Sequence, residues 1–225
     1  MMNYIDDPLF YIPLLSLKLH DAVVVEENEK YLQIDDKTAQ IVYILLFSKD
    51  VNFDELILKA GKLEGTISIA SHFELRLKQY DYSHLLMCRQ FTYVGKGFDL
   101  NIDFKIEEVT MDDFDYLVHH YYRMGRDDSY IKNAINRGMI KAVKDNRIVA
   151  FIGEHPEHTM GLLYVDEDYR RQGIGRNLEY ALINKFLKEG KRPIDHVVVS
   201  NSNSQNLQNS IPDMRMDDGY FYWYF

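Results

Sequence analysis

The 225-residue chain is 46% apolar and carries a net charge of −9. That composition supports a sizeable core and argues against global disorder, general nucleic-acid binding or attraction to an anionic membrane. The one cysteine, Cys88, allows no intrachain disulfide and suits a reducing cytoplasm. No apolar run reaches the ~18 residues of a membrane span. The opening MMNYIDDPLFYIPLL has early acids and no basic segment, so no secretory signal is expected.

Taken in chain order, DAVVVEE (21–27), KYLQI (30–34) and AQIVYILLF (39–47) read as strands. Asn52 can cap a helix that Gly65 ends, and TISIA (66–70) is β-rich. SHFELRLKQY (71–80) reads as a short amphipathic helix, and HLLMCRQFTYV (84–94) as a strand. The composition breaks at GKGFDLN (95–101), the expected linker. Beyond it, FKIEEV (104–109) is a strand. TMDDFDYLVHHYYRMG (110–125) is a helix with acids in its first turn and glycine at its end. DDSYIKNAINRGM (127–139) is a second helix. IKAVKDNRIVAFIGEH (140–155) is a hairpin around Asp145-Asn146. MGLLYV (160–165) is a strand, and a glycine–arginine turn leads into a helix ending near Leu187. DHVVVSN (195–201) is a strand, a short helix follows near 204–211, and GYFYWYF (219–225) is a closing strand with core residues favoured over a substrate wall. His119 and His120 are adjacent on a helix and receive no role.

The turn DEDYRRQGIGRNLEY (166–180) carries the chemistry. A strand ending at Val165, a glycine turn and a helix start form an anion site, because the first helical amides have no intrahelical partner. Gly173 and Gly175 let the backbone approach a phosphate, and Arg170, Arg171 and Arg176 can neutralise it. The turn lacks the Gly-Lys-Ser/Thr of a P-loop and the third glycine of a dinucleotide fingerprint.

LLYVDEDYRRQGIG resembles the acyl-CoA signature of the GNAT superfamily of acyl-CoA-dependent N-acyltransferases, with the motif falling on Arg170, Gly173 and Gly175. VVVSNSNSQNLQ is similar to the later family motif, with Asn201, Ser204 and Leu207 matched and Gln208 standing where the family usually has a tyrosine. In many members that tyrosine protonates the leaving thiolate, which glutamine cannot do. The two-part layout and HPEHTMGLLYV are also similar to the glycine N-acyltransferase-like branch.

The resemblance implies an α/β (α+β) fold with a mixed, mostly antiparallel central sheet flanked by helices. Residues 101–225 would form the acyl-CoA-binding catalytic domain. Residues 1–95 would form a mixed α/β lobe, a degenerate GNAT-like half packed against it. Acetyl-CoA or CoA is the implied co-substrate, without a metal, in a gap between strands 160–165 and 195–201. The backbone of Leu163, Tyr164 and Val165 would bond the pantetheine, and amides from Gln172 through Gly173, Ile174 and Gly175 to Arg176 the pyrophosphate. The partner is a small-molecule amine or amino-acid acceptor, with no nucleic acid or membrane.

An amine attacks only when neutral, so a base is needed. Glu154, His155, Glu157 and His158 cluster before the strand, and Glu157 resembles the glutamate just upstream of the same strand in the glycine N-acyltransferase branch, which implies it as the base. His155 and His158 lack a third ligand at metal-site spacing and read as solvated loop histidines. The Gln208 departure supports an alternative, a GNAT-like module that binds acyl-CoA without turnover or regulates a partner.

Overall fold

The computed structural model describes residues 4–63, 65–121 and 128–225. Among them, helix α1 (Tyr11–Leu19) leads into β1 (Ala22–Glu27), β2 (Tyr31–Asp36), β3 (Ile41–Leu46), α2 (Phe53–Ala60), β4 (Thr66–Ser71) and β5 (Leu85–Tyr93). Then come β6 (Lys105–Glu108), α3 (Phe114–His120), α4 (Asp128–Asn136), β7 (Ile140–Lys144), β8 (Arg147–Glu154), β9 (Met160–Val165) and α5 (Ile174–Lys188). The chain closes with β10 (Ile194–Val198), α6 (Ser202–Asn209), β11 (Met214–Met216) and β12 (Tyr220–Tyr224). The expected class holds: a mixed, mostly antiparallel α/β architecture with helices on the sheet faces.

Most elements sit where the sequence patterns place them, with four differences. The segment at 71–80 is not a helix. Phe73, Leu75 and Leu77 alternate with polar residues at period two, and Leu75 and Leu77 lie on the apolar core beside β3 and β4. The Leu75 amide donates to the Tyr222 hydroxyl at 2.6 Å, so the segment runs extended. Helix α2 is capped by the Asn52 side chain, as expected, but ends at Ala60 with Gly61 as its C-cap. Gly65 instead turns the chain at φ +128°. Helix α1 and the short β11 carry no clear sequence signal. The end of the helix expected over 110–125, from Tyr122 on, and the start of the next, at Asp127, lie outside the described residues.

Two compact units divide the chain: Met1–Thr92 with His196–Ser210 and Arg215–Phe225, and Tyr93–Asp195 with Ile211–Met214. The changeover near residue 93 falls close to the composition break at 95–101, while most of the chain after Asp195 clusters with the first unit.

In the first unit β1, β2 and β3 are antiparallel neighbours, and β4 returns parallel to β3 through α2. Strand β12 is antiparallel to both β4 and β5. Leu56, Ile57 and Ala60 of α2 pack on Val42, Ile44, Ile67, Ile69, Tyr222 and Tyr224. Phe221 to Tyr224 are all buried, so the closing aromatic run is a core strand.

In the second unit β6, β7, β8 and β9 form an antiparallel run. Asp145 and Asn146 both take positive φ, +51° and +59°, the backbone that a two-residue hairpin requires and Asp-Asn tolerates. Met160 of β9 pairs in parallel with Asp195 at the start of β10. One face of this sheet packs on Leu178, Leu182, Ile183 and Phe186 of α5. The other packs on Leu117 of α3 and on Ile131, Ala134 and Ile135 of α4.

The hydroxyl of Tyr222, a residue only 2% exposed, satisfies the Leu75 amide. Tyr222→Phe should therefore cost about 1–3 kcal/mol, the desolvation penalty of an unpaired donor. Urea unfolding followed by far-UV circular dichroism measures it. No shift in midpoint would mean that the amide is satisfied elsewhere.

Candidate functional site

The site is built on β9. In the antiparallel pair with β8, Ala150 faces Val165 and Phe151 faces Tyr164, but Gly153 faces Gly161 and Glu154 faces Met160. The register slips by one between these sets, so Leu162 and Leu163 together oppose Ile152. That is a β-bulge on β9. Leu162 adopts φ +57° while only 2% exposed, an unusual conformation for a branched side chain. The extra residue changes the parity of the strand. Met160, Leu163 and Val165 lie on the α5 side, whereas Leu162 and Tyr164 lie on the α3–α4 side. Strict alternation would have put Met160 with Leu162.

After Val165 the chain makes a short 3₁₀ turn, Glu167–Tyr169, opened by the Asp166 side chain accepting from the Asp168 amide at 3.1 Å. Arg170 Nε donates to the Val165 carbonyl at 3.0 Å, and its Nη1 pairs with Glu167 Oε1 at 3.0 Å. Gln172 Nε2 reaches back to the Asp168 carbonyl at 3.0 Å. In this structure Arg170 therefore braces the turn, and Arg171 and Arg176 are exposed beside it, as Arg170 itself is.

Gly173 is the N-cap of α5 in the left-handed region, φ +79°, and no side-chain hydrogen bond caps the helix. A Cβ at Gly173 would meet only Asn177 Nδ2, at 3.7 Å, so the space above the turn is open. Gly175 differs. A Cβ there would sit 3.3 Å from Val165 Cγ2 and 3.8 Å from Leu163 Cδ2. One glycine serves the turn and the other lets the first helical turn close onto β9. Ile174, between them, is buried in the core. An uncapped helix start above an open glycine fits the phosphates of a CoA nucleotide.

The later motif lies in the first unit. Asn201 caps α6, its Oδ1 accepting from the Ser204 amide at 3.2 Å. Gln205 Nε2 donates to the Val199 carbonyl at 2.6 Å. Ser204 and Leu207 are half-buried, and Gln208 is 1% exposed.

The hairpin joining β8 to β9 holds the acid–histidine cluster. Its turn closes by the His158 amide donating to the His155 carbonyl at 3.0 Å, with His158 at φ +67°. Glu157 stands at the tip, half-buried, and its Oε1 accepts from Thr159 Oγ1 at 2.9 Å. His155 hydrogen-bonds the Tyr130 hydroxyl, and its ring covers the face of Gly161.

Glu154 is 3% exposed and its carboxylate pairs with His158 through Nδ1 and with Lys191 Nζ at 2.9 Å. Burial pushes its carboxyl up, but the His158 and Lys191 bonds outweigh burial and hold it below the usual value. This cluster has no sequence signature, because Lys191 lies 37 positions after Glu154 in a stretch that reads only as a helix stop.

Residues 101–208 match the model of the acetyltransferase (GNAT) family. Over those residues the chain is similar to a GNAT acetyltransferase domain. No curated protein matches it. Among solved structures it is similar to a candidate GNAT-family acetyltransferase from Novosphingobium aromaticivorans, at 14% identity over 89% of each chain with a TM-score of 0.60. It is similar to a GCN5-related N-acetyltransferase-like protein from Streptococcus suis, at 13% identity over 95% of this chain and 92% of that one, TM-score 0.59. A functionally unknown conserved protein from Staphylococcus epidermidis aligns at 11% identity over 90% and 93%, TM-score 0.58. At such identities the likeness establishes the GNAT fold, over nearly the whole chain. The family match supports acyl transfer in general, and no described helix is long and apolar enough to cross a membrane.

Lys191→Met would leave the buried Glu154 carboxylate without its ammonium. The expected cost is roughly 3–5 kcal/mol, nearer the lower figure because the Lys191 side chain is 32% exposed. Glu154 has a depressed folded pKa, so its contribution is full above the unfolded carboxylate value and is lost as pH falls through the folded one. The difference in stability between wild type and Lys191→Met should therefore shrink in acid. Denaturant melts at neutral pH and near pH 3 test this, and an unchanged gap would place the pair outside the stability balance.

Proposed function

We propose that the protein is an acetyl-CoA-dependent N-acetyltransferase acting on a primary amine of a small molecule or amino acid. The observation that carries the reading is the uncapped start of α5 at Gly173, set directly after a bulged β9. In this reading the amides from Gln172 to Arg176 hold the pyrophosphate, and Arg171 and Arg176 supply charge. The backbone of Leu163, Tyr164 and Val165 bonds the pantetheine like an added strand. An amide near Leu163 polarises the thioester carbonyl, a small oxyanion site. A cytoplasmic location and a division into a catalytic half and a degenerate N-terminal half belong to the same reading.

The acceptor arrives as an ammonium and must lose a proton before attack. Glu157 is the proposed base. Glu154 is committed to His158 and Lys191, whereas Glu157 stands at the hairpin tip with its carboxylate accepting from the Thr159 hydroxyl. A second reading, acyl-CoA binding without turnover, draws on Gln208. It is buried and cannot supply the proton that the thiolate needs.

Gly173→Val should abolish CoA binding and leave the fold mostly intact. A β-branched residue is strained at φ +79° and obstructs the approach of phosphate. Each charge-assisted hydrogen bond to phosphate that the variant fails to make is worth about 1.5–3 kcal/mol. Calorimetry that returned equal CoA affinity for both proteins would refute the site.

Glu157→Gln should lower turnover by roughly 10²–10⁴ near neutral pH while CoA affinity stays unchanged. The deficit should narrow at alkaline pH, where free amine is abundant. Full activity at pH 7 would remove Glu157 from the mechanism.

A further inference from the structure

Resting on the transferase reading, we infer that His120 is the proton carrier between the reacting nitrogen and the leaving sulfur. It stands at the last position of α3, and its ring is half-buried. Nδ1 lies 2.8 Å from the Tyr116 carbonyl, one helical turn back. A carbonyl only accepts, so Nδ1 carries the hydrogen and the neutral ring holds its lone pair on Nε2. Nε2 makes no hydrogen bond among the described residues. A fixed tautomer with a basic nitrogen uncommitted among the described residues is what general base catalysis needs.

The ring is also aimed. It stacks on Tyr116 at 4.1 Å between centroids and lies 5.1 Å from the ring of Tyr164. Tyr116 is itself pinned, its hydroxyl donating to the Ile148 carbonyl at 2.9 Å. Tyr164 stacks on Phe151 at 5.2 Å and follows the bulge on β9, the segment assigned to the acyl thioester. The bulge brings the two rings together, because the shifted parity puts Tyr164 on the α3 side. An imidazole is thus held against the α3 side of β9, the strand whose backbone carries the thioester in the proposed reading.

The chemistry leaves one step unassigned. Once Glu157 has taken a proton from the ammonium, the amine forms the C–N bond and the adduct nitrogen is left with one proton too many. His120 Nε2 accepts that proton. The carbonyl re-forms as the C–S bond breaks, and the Nε2 proton passes to the thiolate sulfur, giving the amide, CoA thiol and neutral His120. No oxidant or further reactant is needed. The missing tyrosine at Gln208 is thereby replaced by a group from another part of the fold.

The test uses the full chain with acetyl-CoA and an accepted amine. His120→Gln can keep a hydrogen bond to Tyr116, and His120→Phe keeps the stack on Tyr116 and Tyr164. Both should lose roughly 10²–10⁴ in kcat with CoA affinity and melting temperature near those of the wild type. Either variant turning over at the wild-type rate overturns the role of His120 alone. A fall in kcat matched by a fall in CoA affinity or in melting temperature also overturns it, since a merely structural residue would behave that way. Wild-type protein that binds CoA but acylates no amine overturns the transferase reading, and this role with it.

Discussion

One additional residue on β9 organises the site. Leu162 and Leu163 share a single partner on β8, and the slip sends Tyr164 towards α3 and Val165 towards α5. Without it the residues entering the turn would point to the opposite faces. The cost is a left-handed, buried Leu162, a strain on the order of 1–3 kcal/mol. It persists because the surrounding core fixes both flanks: Met160 packs under α5, and Leu162 is held among Met139, Phe151 and Leu117.

The two glycines of the turn divide the work that follows. Gly173 supplies a positive φ with open space above it, and Gly175 supplies close packing beneath. The arginines divide likewise. Arg170 ties the turn to the last carbonyl of β9, so its loss would disorder the turn as well as remove charge. Three acids, Asp166, Glu167 and Asp168, equal in number the three arginines Arg170, Arg171 and Arg176. In the proposed reading, recognition of an anion then depends on where the amides and guanidinium groups point rather than on net field. At the other end of β9, the Glu154–His158–Lys191 cluster anchors the hairpin from within, so that the tip bearing Glu157 rests on a buried support.

The order of elements and the glycine turn are legible in the sequence, since both follow from local rules. Apolar period, the Asn52 cap, the Asp145-Asn146 hairpin and the paired glycines each need only neighbouring residues. The differences have a common cause in long-range contact. FELRLK around residue 75 alternates strictly, and its extended form is fixed by a hydroxyl from Tyr222, distant in sequence. The bulge has no clear sequence signal beyond Gly161 standing before two leucines. His119-His120 is uninformative as a pair, because the His120 tautomer is set by a carbonyl one turn away and the ring's placement by Tyr164 on β9. Lys191 reads as punctuation after a helix, and its partner Glu154 lies at a strand end that reads as loop chemistry.

Amide hydrogen exchange with and without acetyl-CoA addresses the central claim most directly, since the claim concerns named backbone amides. The account predicts slowed exchange at two separate stretches, Leu163–Val165 and Gln172–Arg176, on saturation with acetyl-CoA. Unchanged exchange at both, or protection confined to other parts of the chain, would contradict it.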